Sequence, residues 1–342
     1  MHATSRPGRR RDGHLVGVTD RNYLDRAAEL AAPWMTFPNP RVGCVIVDAQ
    51  GAAVGEGAHV AAGSPHAEVV ALKQAGARAA GGTAYVTLEP CAHTGRTGPC
   101  AAALINAGVA RVVIAVADPN PVAAGGAEVL RSAGIDVAFV DAPAARHVNE
   151  HWLHAMRHGR PFVTLKLATS LDGRVAAAEG VETRISNDDS RRRLHALRAR
   201  VDAILIGTNT AVVDDPHLDV REVEVQQQPR RFVMGERELP SDLWMLTSGT
   251  AAEQFRTRDP HAVLSALHDR QIRHVLIEGG PTLARVFVEA NLVDECVWIT
   301  APIVLGSGPS ALGEPALDAV HRWSRTETLD VAGDLWSYLR PA

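Results

Sequence analysis

Hydrophobic residues along the first half of the chain switch repeatedly between short continuous runs and a helical spacing. The unbroken run Val42–Val47 predicts a buried strand, closed by a polar turn at Asp48–Gly51. Residues 67–75, with Val69, Val70 and Leu72 apolar, predict a helix. Ala84–Leu88 predicts a strand, Ala101–Ala107 a helix and Arg111–Val116 a strand. Glu128–Ala133 is expected as a short helix stopped by Gly134, followed by a strand at Ile135–Val140. Asp20 is placed to cap a helix running through Tyr23, Ala27 and Leu30. This alternation implies a mostly parallel sheet covered by helices.

Residues 143–158 predict one connecting helix, on which His147, His151, His154 and His158 recur at spacings of three and four. No His-Glu-x-x-His pattern accompanies them, so they read as an interdomain or surface helix face rather than a metal site. Gly159-Arg160-Pro161 then opens a second α/β half. Strands are expected at Phe162–Leu167, Val201–Gly207, Arg231–Met234, His274–Glu278 and Val297–Ile303. Helices are expected at Asp188–Arg200, His261–Arg270 and Thr282–Ala290, with a polar loop from Arg221 to Pro229. The organisation predicted is a mobile basic tail at 1–19, one domain at 20–158 and another at 159–342.

The length of 342 residues suits two domains of roughly 100–200 residues each. Hydrophobic residues at 46%, charged residues at 22% and a net charge of −4 belong to an ordinary soluble chain. The charge argues against a nucleic-acid partner, which calls for a basic surface, yet allows a small phosphorylated ligand. No apolar run approaches the roughly 20 residues needed to span a bilayer, so no membrane partner is expected. The N-terminal residues lack the apolar core of a secretory signal, and the cytoplasm is the expected location. The oligomeric state stays open, a homo-oligomer included.

Of the four cysteines, Cys44 and Cys296 lie in apolar surroundings and read as packed residues. Cys91 and Cys100 lie among turn-forming residues, each preceded by proline, and His66-Ala67-Glu68 stands upstream. One His and two Cys are a catalytic zinc ligand set, which leaves the fourth position to water. Zinc lowers the pKa of that water. Glu68, two residues after the histidine, is the candidate carboxylate that moves its proton to a leaving amine. Proline favours a helix start, and a thiolate at a helix N-terminus gains from exposed N–H groups. His93 would close the site as a fourth ligand and is set aside. The competing readings are a different zinc deaminase, such as a guanine or tRNA adenosine deaminase, fused to an NADPH-binding domain, and a non-catalytic structural zinc protein. The wide cysteine spacing and the acidic charge oppose a tRNA substrate, and a three-ligand set opposes a structural site.

The segments FPNPRVGCVIV, HAEVVAL and TLEPCAHTGRTGPC, followed in order by LKLATSLDGR, GTNTAVVDDPHL, LIEGGPTLA and APIVLG, resemble the RibD family of bifunctional riboflavin biosynthesis proteins from about residue 20 to 342. The resemblance implies an α/β chain with a cytidine-deaminase-like domain followed by a dihydrofolate-reductase-like domain. It implies Zn2+ and NADPH as cofactors and a phosphorylated pyrimidine as substrate, first deaminated and then reduced at its ribosyl group. On this basis His66, Cys91 and Cys100 hold the metal and Glu68 is catalytic. Asn39 and Arg96 contact the substrate base and phosphate. In the second half Ala168, Thr210, Asp214 and the run Gly280, Pro281, Thr282, Leu283, Ala284, Arg285 and Val286 match cofactor contacts. Arg198, Leu218 and Arg221 match substrate contacts, and Lys166 and Glu278, read as strand ends, flank the reacting sugar.

No Gly-x-Gly-x-x-Gly fingerprint is present. The Gly279-Gly280 turn before a helix suits close approach of backbone N–H groups to a phosphate, though a plain strand-to-helix turn explains it equally well; the resemblance makes it the cofactor pyrophosphate site. Two departures fall in this half. Many relatives carry Ser-Gln-Trp-Ile where this chain has Glu182-Thr183-Arg184-Ile185, which puts Glu182 at a substrate position and Arg184 at a cofactor position. Gly235-Glu236 replaces an Asp-Ser pair, leaving Glu236 at a cofactor position. Arg184 is expected to pair with Glu182 or with a cofactor phosphate.

Overall fold

The computed structural model describes residues 13–92, 98–315 and 317–342. The chain divides into two compact units, Met1–Leu153 and His154–Ala342. The division falls inside a helix, Glu150–His158.

The first unit contains helices α1 (Gly13–Ala31), α2 (Ala67–Ala75), α3 (Cys100–Asn106), α4 (Gly126–Ser132) and α5 (Pro143–Val148). Its strands are β1 (Gly43–Val47), β2 (Ala53–Ala58), β3 (Thr83–Val86), β4 (Arg111–Ile114) and β5 (Asp136–Phe139). They form one sheet in the order β2-β1-β3-β4-β5. β3, β4 and β5 run parallel, but β1 is antiparallel to both of its neighbours. The mostly parallel sheet expected from the alternation is therefore a mixed one. The strand that the pattern hid is β2, whose Ala-Val-Gly-Glu-Gly-Ala sequence lacks β-branched alternation. Its glycines have a packing role: a Cβ at Gly57 would lie 2.3 Å from the Ala67 carbonyl oxygen. Only glycine lets α2 approach the sheet this closely.

Side chains alternate across the sheet as the two-residue period requires. Cys44, Ile46, Val86, Val112 and Ile114 face α2, α3 and α4 through Ala67, Ala71, Leu104 and Leu130. Val45, Val47, Tyr85 and Val113 face α1 and α5 through Leu24, Ala27 and Ala145. The expected tail at 1–19 is corrected in part, because α1 begins at Gly13; residues 1–12 lie outside the described residues. Asp20 sits within α1 instead of capping it. Its buried carboxylate accepts from Tyr85 Oη at 3.0 Å and from both Arg111 terminal nitrogens at 2.9 and 3.1 Å. A tertiary ion pair has taken the side chain that the local pattern assigned to a cap.

The single helix expected over 143–158 is broken at Asn149. This buried amide accepts from Arg41 N at 2.8 Å and donates to Arg41 O at 2.7 Å, tying down the Asn39-Pro40-Arg41 loop. Beyond it, α6 (Glu150–His158) carries three of the four histidines. His147 lies 3.7 Å from Glu150, and His154 lies 3.5 Å from Asp294 and stacks on His158. None of these forms a metal cluster among the described residues.

The second unit continues with β6 (Phe162–Thr169), α7 (Asp188–Arg198), β7 (Ala203–Gly207), α8 (Thr208–Asp214), β8 (Arg230–Met234), α9 (Trp244–Thr247) and β9 (Glu253–Phe255). Then follow α10 (Pro260–Asp269), β10 (His274–Ile277), α11 (Pro281–Glu289), β11 (Glu295–Thr300), β12 (Trp323–Val331) and β13 (Asp334–Pro341). The sheet order is β12-β13-β11-β6-β10-β7-β8-β9. The six strands from β11 to β9 are parallel, and the β12–β13 hairpin adds antiparallel to β11. Lys166 lies within β6 rather than at its end, while Glu278 directly follows β10. Adjacent β6, β10 and β7 thus bring the segments carrying Lys166, Glu278 and Gly207 side by side.

Candidate functional site

In the first unit, α2 starts immediately after His66, whose extended backbone serves as its N-cap. The first turn therefore carries both the imidazole and Glu68. The end of β3 leads into Glu89-Pro90-Cys91, and Cys100 is the first residue of α3 with Pro99 as N-cap. His66 Nδ1 lies 3.1 Å from Cys100 Sγ and 3.7 Å from Cys91 Sγ. The three donor atoms fall within 4.8 Å of one another. Zinc bonds of roughly 2.0–2.3 Å in a tetrahedron put ligand atoms about 3.3–3.8 Å apart, so the donor set and its spacing fit the ion.

Electrostatics support the fit. The Cys91 sulfur is held down to about 4 by the hydrogen bond with the Cys100 thiol, despite burial, with His66 and the Cys100 backbone N–H contributing. Cys100 is pushed up in turn, by that shared proton first and then by burial. A ready thiolate thus sits at Cys91. Only Cys100 heads a helix; no helix begins at Cys91, whose sulfur instead accepts the Cys100 N–H at 3.4 Å. Glu68 is 3% exposed, and burial pushes its carboxyl up against opposing hydrogen bonds and the His66 charge. A raised carboxyl beside a metal site suits a group that takes up and releases a proton.

Two residues around this centre had not been singled out from sequence. Asn39 Nδ2 donates to His59 Nε2 at 3.1 Å, and the buried His59 ring turns Nδ1 toward the Pro65 carbonyl at 3.2 Å. This pairing fixes the amide orientation of Asn39. Glu89, directly before Pro90-Cys91, accepts from Asp118 N at 3.2 Å, Gly125 N at 3.1 Å and Ala127 N at 3.0 Å. The 118–127 loop is thereby clamped to the zinc-ligand segment. Glycine is required at 126, where a Cβ would lie 1.7 Å from the Pro90 oxygen. A carboxylate preceding the Pro-Cys pair was the available signal. Arg96 and His93 lie outside the described residues.

In the second unit a cavity of about 1260 Å³ opens along the ends of β6, β7 and β10. Lys166, Arg198, Leu218, Arg221 and Glu278 line it, as do Glu182 and Arg184. So do Ala168, Thr210 and Asp214, and Gly280, Pro281 and Thr282 at the start of α11. Glu236, Leu283, Ala284, Arg285 and Val286 are not on its wall. Leu283 and Ala284 are buried on the core side of α11. Arg285 pairs with Glu289, and Glu236 lies 3.1 Å from Arg258. Gly280 N donates to Thr210 Oγ1 at 3.3 Å, which joins the glycine turn to α8. The cavity's size, its glycine turn at a helix start and its cationic side chains fit a dinucleotide with a phosphorylated substrate.

Arg198 grips Glu278 bidentately at 2.6 and 2.8 Å and donates to Asp219 O at 3.1 Å. Burial pushes the Glu278 carboxyl up, but Arg198 and Lys166 outweigh it and hold it below its ordinary value. Burial lowers Lys166, with Arg198 adding to the shift and Glu278 opposing it. Arg184 pairs with Asp188 in the first turn of α7, not with Glu182. After burial, Glu182 is the cause that raises Asp214.

Residues 18–116 match the cytidine and deoxycytidylate deaminase zinc-binding region, and residues 161–335 match the RibD C-terminal domain. The riboflavin biosynthesis protein RibD of Mycobacterium tuberculosis is 45% identical over 309 residues, covering 88% of this chain and 90% of that protein. The chain belongs to the RibD family. Escherichia coli RibD is 41% identical over 334 residues, covering 86% of this chain and 91% of its own. Acinetobacter baumannii RibD superposes with a TM-score of 0.89 at 37% identity, covering 95% of this chain and 99% of that structure. A Thermotoga maritima structure, described as a diaminohydroxyphosphoribosylaminopyrimidine deaminase/5-amino-6-(5-phosphoribosylamino)uracil reductase, superposes at 0.83 with 27% identity, covering 96% and 100%. Like other RibD proteins, the chain joins a cytidine-deaminase-like zinc domain to a RibD-type, NADPH-using reductase domain of α/β fold. No described helix is long and apolar enough to cross a membrane.

Proposed function

We propose that this chain performs two consecutive steps on one phosphorylated pyrimidine: hydrolytic removal of a ring amino group, then reduction of the ribosyl group to a ribityl chain. The observation that carries this reading is the convergence of His66, Cys91 and Cys100 with the buried carboxyl of Glu68 in the first turn of the helix that His66 caps.

His66, Cys91 and Cys100 would hold zinc, which when bound supplies an activated water. Asn39, held by His59, orients the base. Glu68 takes a proton from the attacking water and delivers it to the amino nitrogen. The carbon–nitrogen bond then breaks, ammonia leaves and a ring carbonyl remains. The neighbouring side chains exclude bulk water from Glu68, which keeps its carboxyl able to carry that proton.

In the second cavity NADPH, when bound, supplies a hydride. Thr210, Asp214 and the turn from Gly280 to Thr282 would hold it, with Ala168 beside it. Arg198, Leu218 and Arg221 surround the substrate. Lys166 and Glu278 flank the sugar, and Lys166, lowered by its burial, is the residue placed to hold the proton that accompanies hydride transfer. The product is a phosphorylated ribitylaminouracil. Mass analysis of product from the purified protein tests the assignment. Without NADPH the deaminated 5-amino-6-(5-phosphoribosylamino)uracil should accumulate with ammonia; with NADPH its mass should rise by two hydrogens. Unchanged substrate under both conditions would refute the assignment.

A further inference from the structure

His195 lies in α7, one turn before Arg198, and is 5% exposed. It lines the second cavity. Its Nδ1 accepts the backbone N–H of Arg221 at 3.1 Å. A nitrogen that accepts has no proton, so the neutral ring carries its proton on Nε2. Burial, then Arg198 and Arg221, lower the imidazole and keep it neutral near pH 7. Nε2 has no hydrogen-bond partner among the described residues, and it is not one of the sealed-off polar atoms of the interior. A donor without a protein partner on a nearly buried ring that lines the cavity is left for a ligand to satisfy.

The surroundings indicate which ligand atom. Arg198 and Arg221 both bring positive charge to the ring, and the Nδ1 contact ties His195 to the backbone of Arg221 itself. Arg198 is partly neutralised by Glu278. Glu222 and Asp219 oppose the positive charge at the ring, but less strongly than the two arginines act on it, so a neutral donor beside Arg198 and Arg221 suits the oxygens of an anion. We propose that His195 is a substrate-binding residue of the reductase cavity, donating its Nε2–H to an oxygen of the substrate phosphate. The proposal rests on the reading of the second unit as the reductase.

Two variants of the full chain separate binding from structural support. His195→Asn keeps an amide oxygen near the Nδ1 position to accept the Arg221 N–H, and removes the donor that reaches the cavity. His195→Gln keeps an N–H near the Nε2 position. Steady-state NADPH oxidation on the deaminated substrate should show KM for substrate raised about tenfold in His195→Asn, the scale of one hydrogen bond to a charged group. Its kcat should stay within about twofold and KM for NADPH should not move, while His195→Gln recovers most of the loss. Inorganic phosphate should inhibit the wild type competitively, and its inhibition constant should rise in His195→Asn by a similar factor.

A wild-type KM in His195→Asn would overturn the proposal. So would an unchanged inhibition constant for phosphate, or equal losses of kcat in both variants with lowered melting temperatures, which mark a packing role. Absence of NADPH oxidation in the wild type would overturn the reductase reading and this proposal with it.

Discussion

Arg198 and Glu278 meet across the second cavity in a two-point ion pair, with nitrogen–oxygen distances of 2.6 and 2.8 Å, and both side chains are nearly buried. The arginine that the resemblance matched to a substrate contact is therefore already engaged. Removing it leaves a buried carboxylate with Lys166 as its main counter-charge. Arg198→Met should destabilise the second unit by about 3 kcal/mol or more, the scale for breaking one side of a buried pair. NADPH oxidation should be lost while ammonia release persists. Chemical denaturation with both assays checks this; a stability change below about 1 kcal/mol would contradict the coupling.

The same pair has a pH signature. The folded Glu278 carboxyl lies below its ordinary value. Its stabilisation is thus fully present above the unfolded value of about 4.3 and disappears as pH falls through the lower folded value. Melting temperatures of the second unit should fall below about pH 4, and Glu278→Gln should flatten that fall. An unaltered acid limb in Glu278→Gln would show that other carboxylates govern it.

At the zinc centre, Cys91→Ser or chelation should abolish ammonia release, since water activation needs the ion. NADPH oxidation on pre-deaminated substrate should survive. Glu68→Gln should retain zinc while deamination falls at least about 100-fold. Zinc content, ammonia and NADPH assays on the same preparations distinguish these outcomes. A folded, metal-free protein that still releases ammonia would remove zinc from the reaction.

What could be read from sequence depended on whether a residue's role was local. β1 and β3 were legible because their apolar runs match their burial; α2 was found through Val69, Val70 and Leu72, which are only half-buried, while its buried face is Ala67, Glu68, Ala71 and Ala75. β2 and β12 were not: one is glycine-rich for close packing, and the other is an edge strand whose residues are mostly exposed. His66, Cys91 and Cys100 stood out because few structures other than a metal site use that set. Arg198, Glu278 and Lys166 carry no such signature, since their meeting depends on β6, α7 and β10, which are far apart in sequence. Resemblance alone pointed to them. It also pointed to Glu236, which faces Arg258, and to Leu283 and Ala284, whose side chains belong to the core.

Arg184 was expected to pair with Glu182 or with a cofactor phosphate; in the structure it pairs with Asp188 rather than Glu182. Glu182 therefore keeps a negative charge at the cavity wall, near enough to raise Asp214. Glu182→Ser should lower KM for the phosphorylated substrate by relieving that repulsion. Arg184→Ala should raise KM for substrate or NADPH, with a stability change below about 1 kcal/mol, as for an exposed ion pair. Deamination should not change in either variant. Wild-type reductase kinetics in both would show that this departure is silent.

Glu89 supplies the remaining test, because it connects the fold to the zinc centre without touching the ion. Its two oxygens accept three backbone N–H groups from the 118–127 loop, and the next two residues are Pro90 and the ligand Cys91. Ala92 N also donates to Ala123 O at 3.2 Å, so the loop and the ligand segment move as one. Glu89→Gln keeps the volume but turns an NH2 toward at least one of those donors. The unmet N–H should cost about 1–3 kcal/mol and loosen the loop. The expected kinetic result is a raised KM for deamination with zinc still bound at one equivalent and reductase activity unchanged. Gly126→Ala attacks the same contact from the other side, since its methyl group would collide with the Pro90 oxygen. It should reproduce the KM change. Glu89→Gln with normal KM and normal stability would mean that the loop holds its place without the carboxylate. Zinc loss in Glu89→Gln would instead show that Glu89 acts on the position of Cys91 itself.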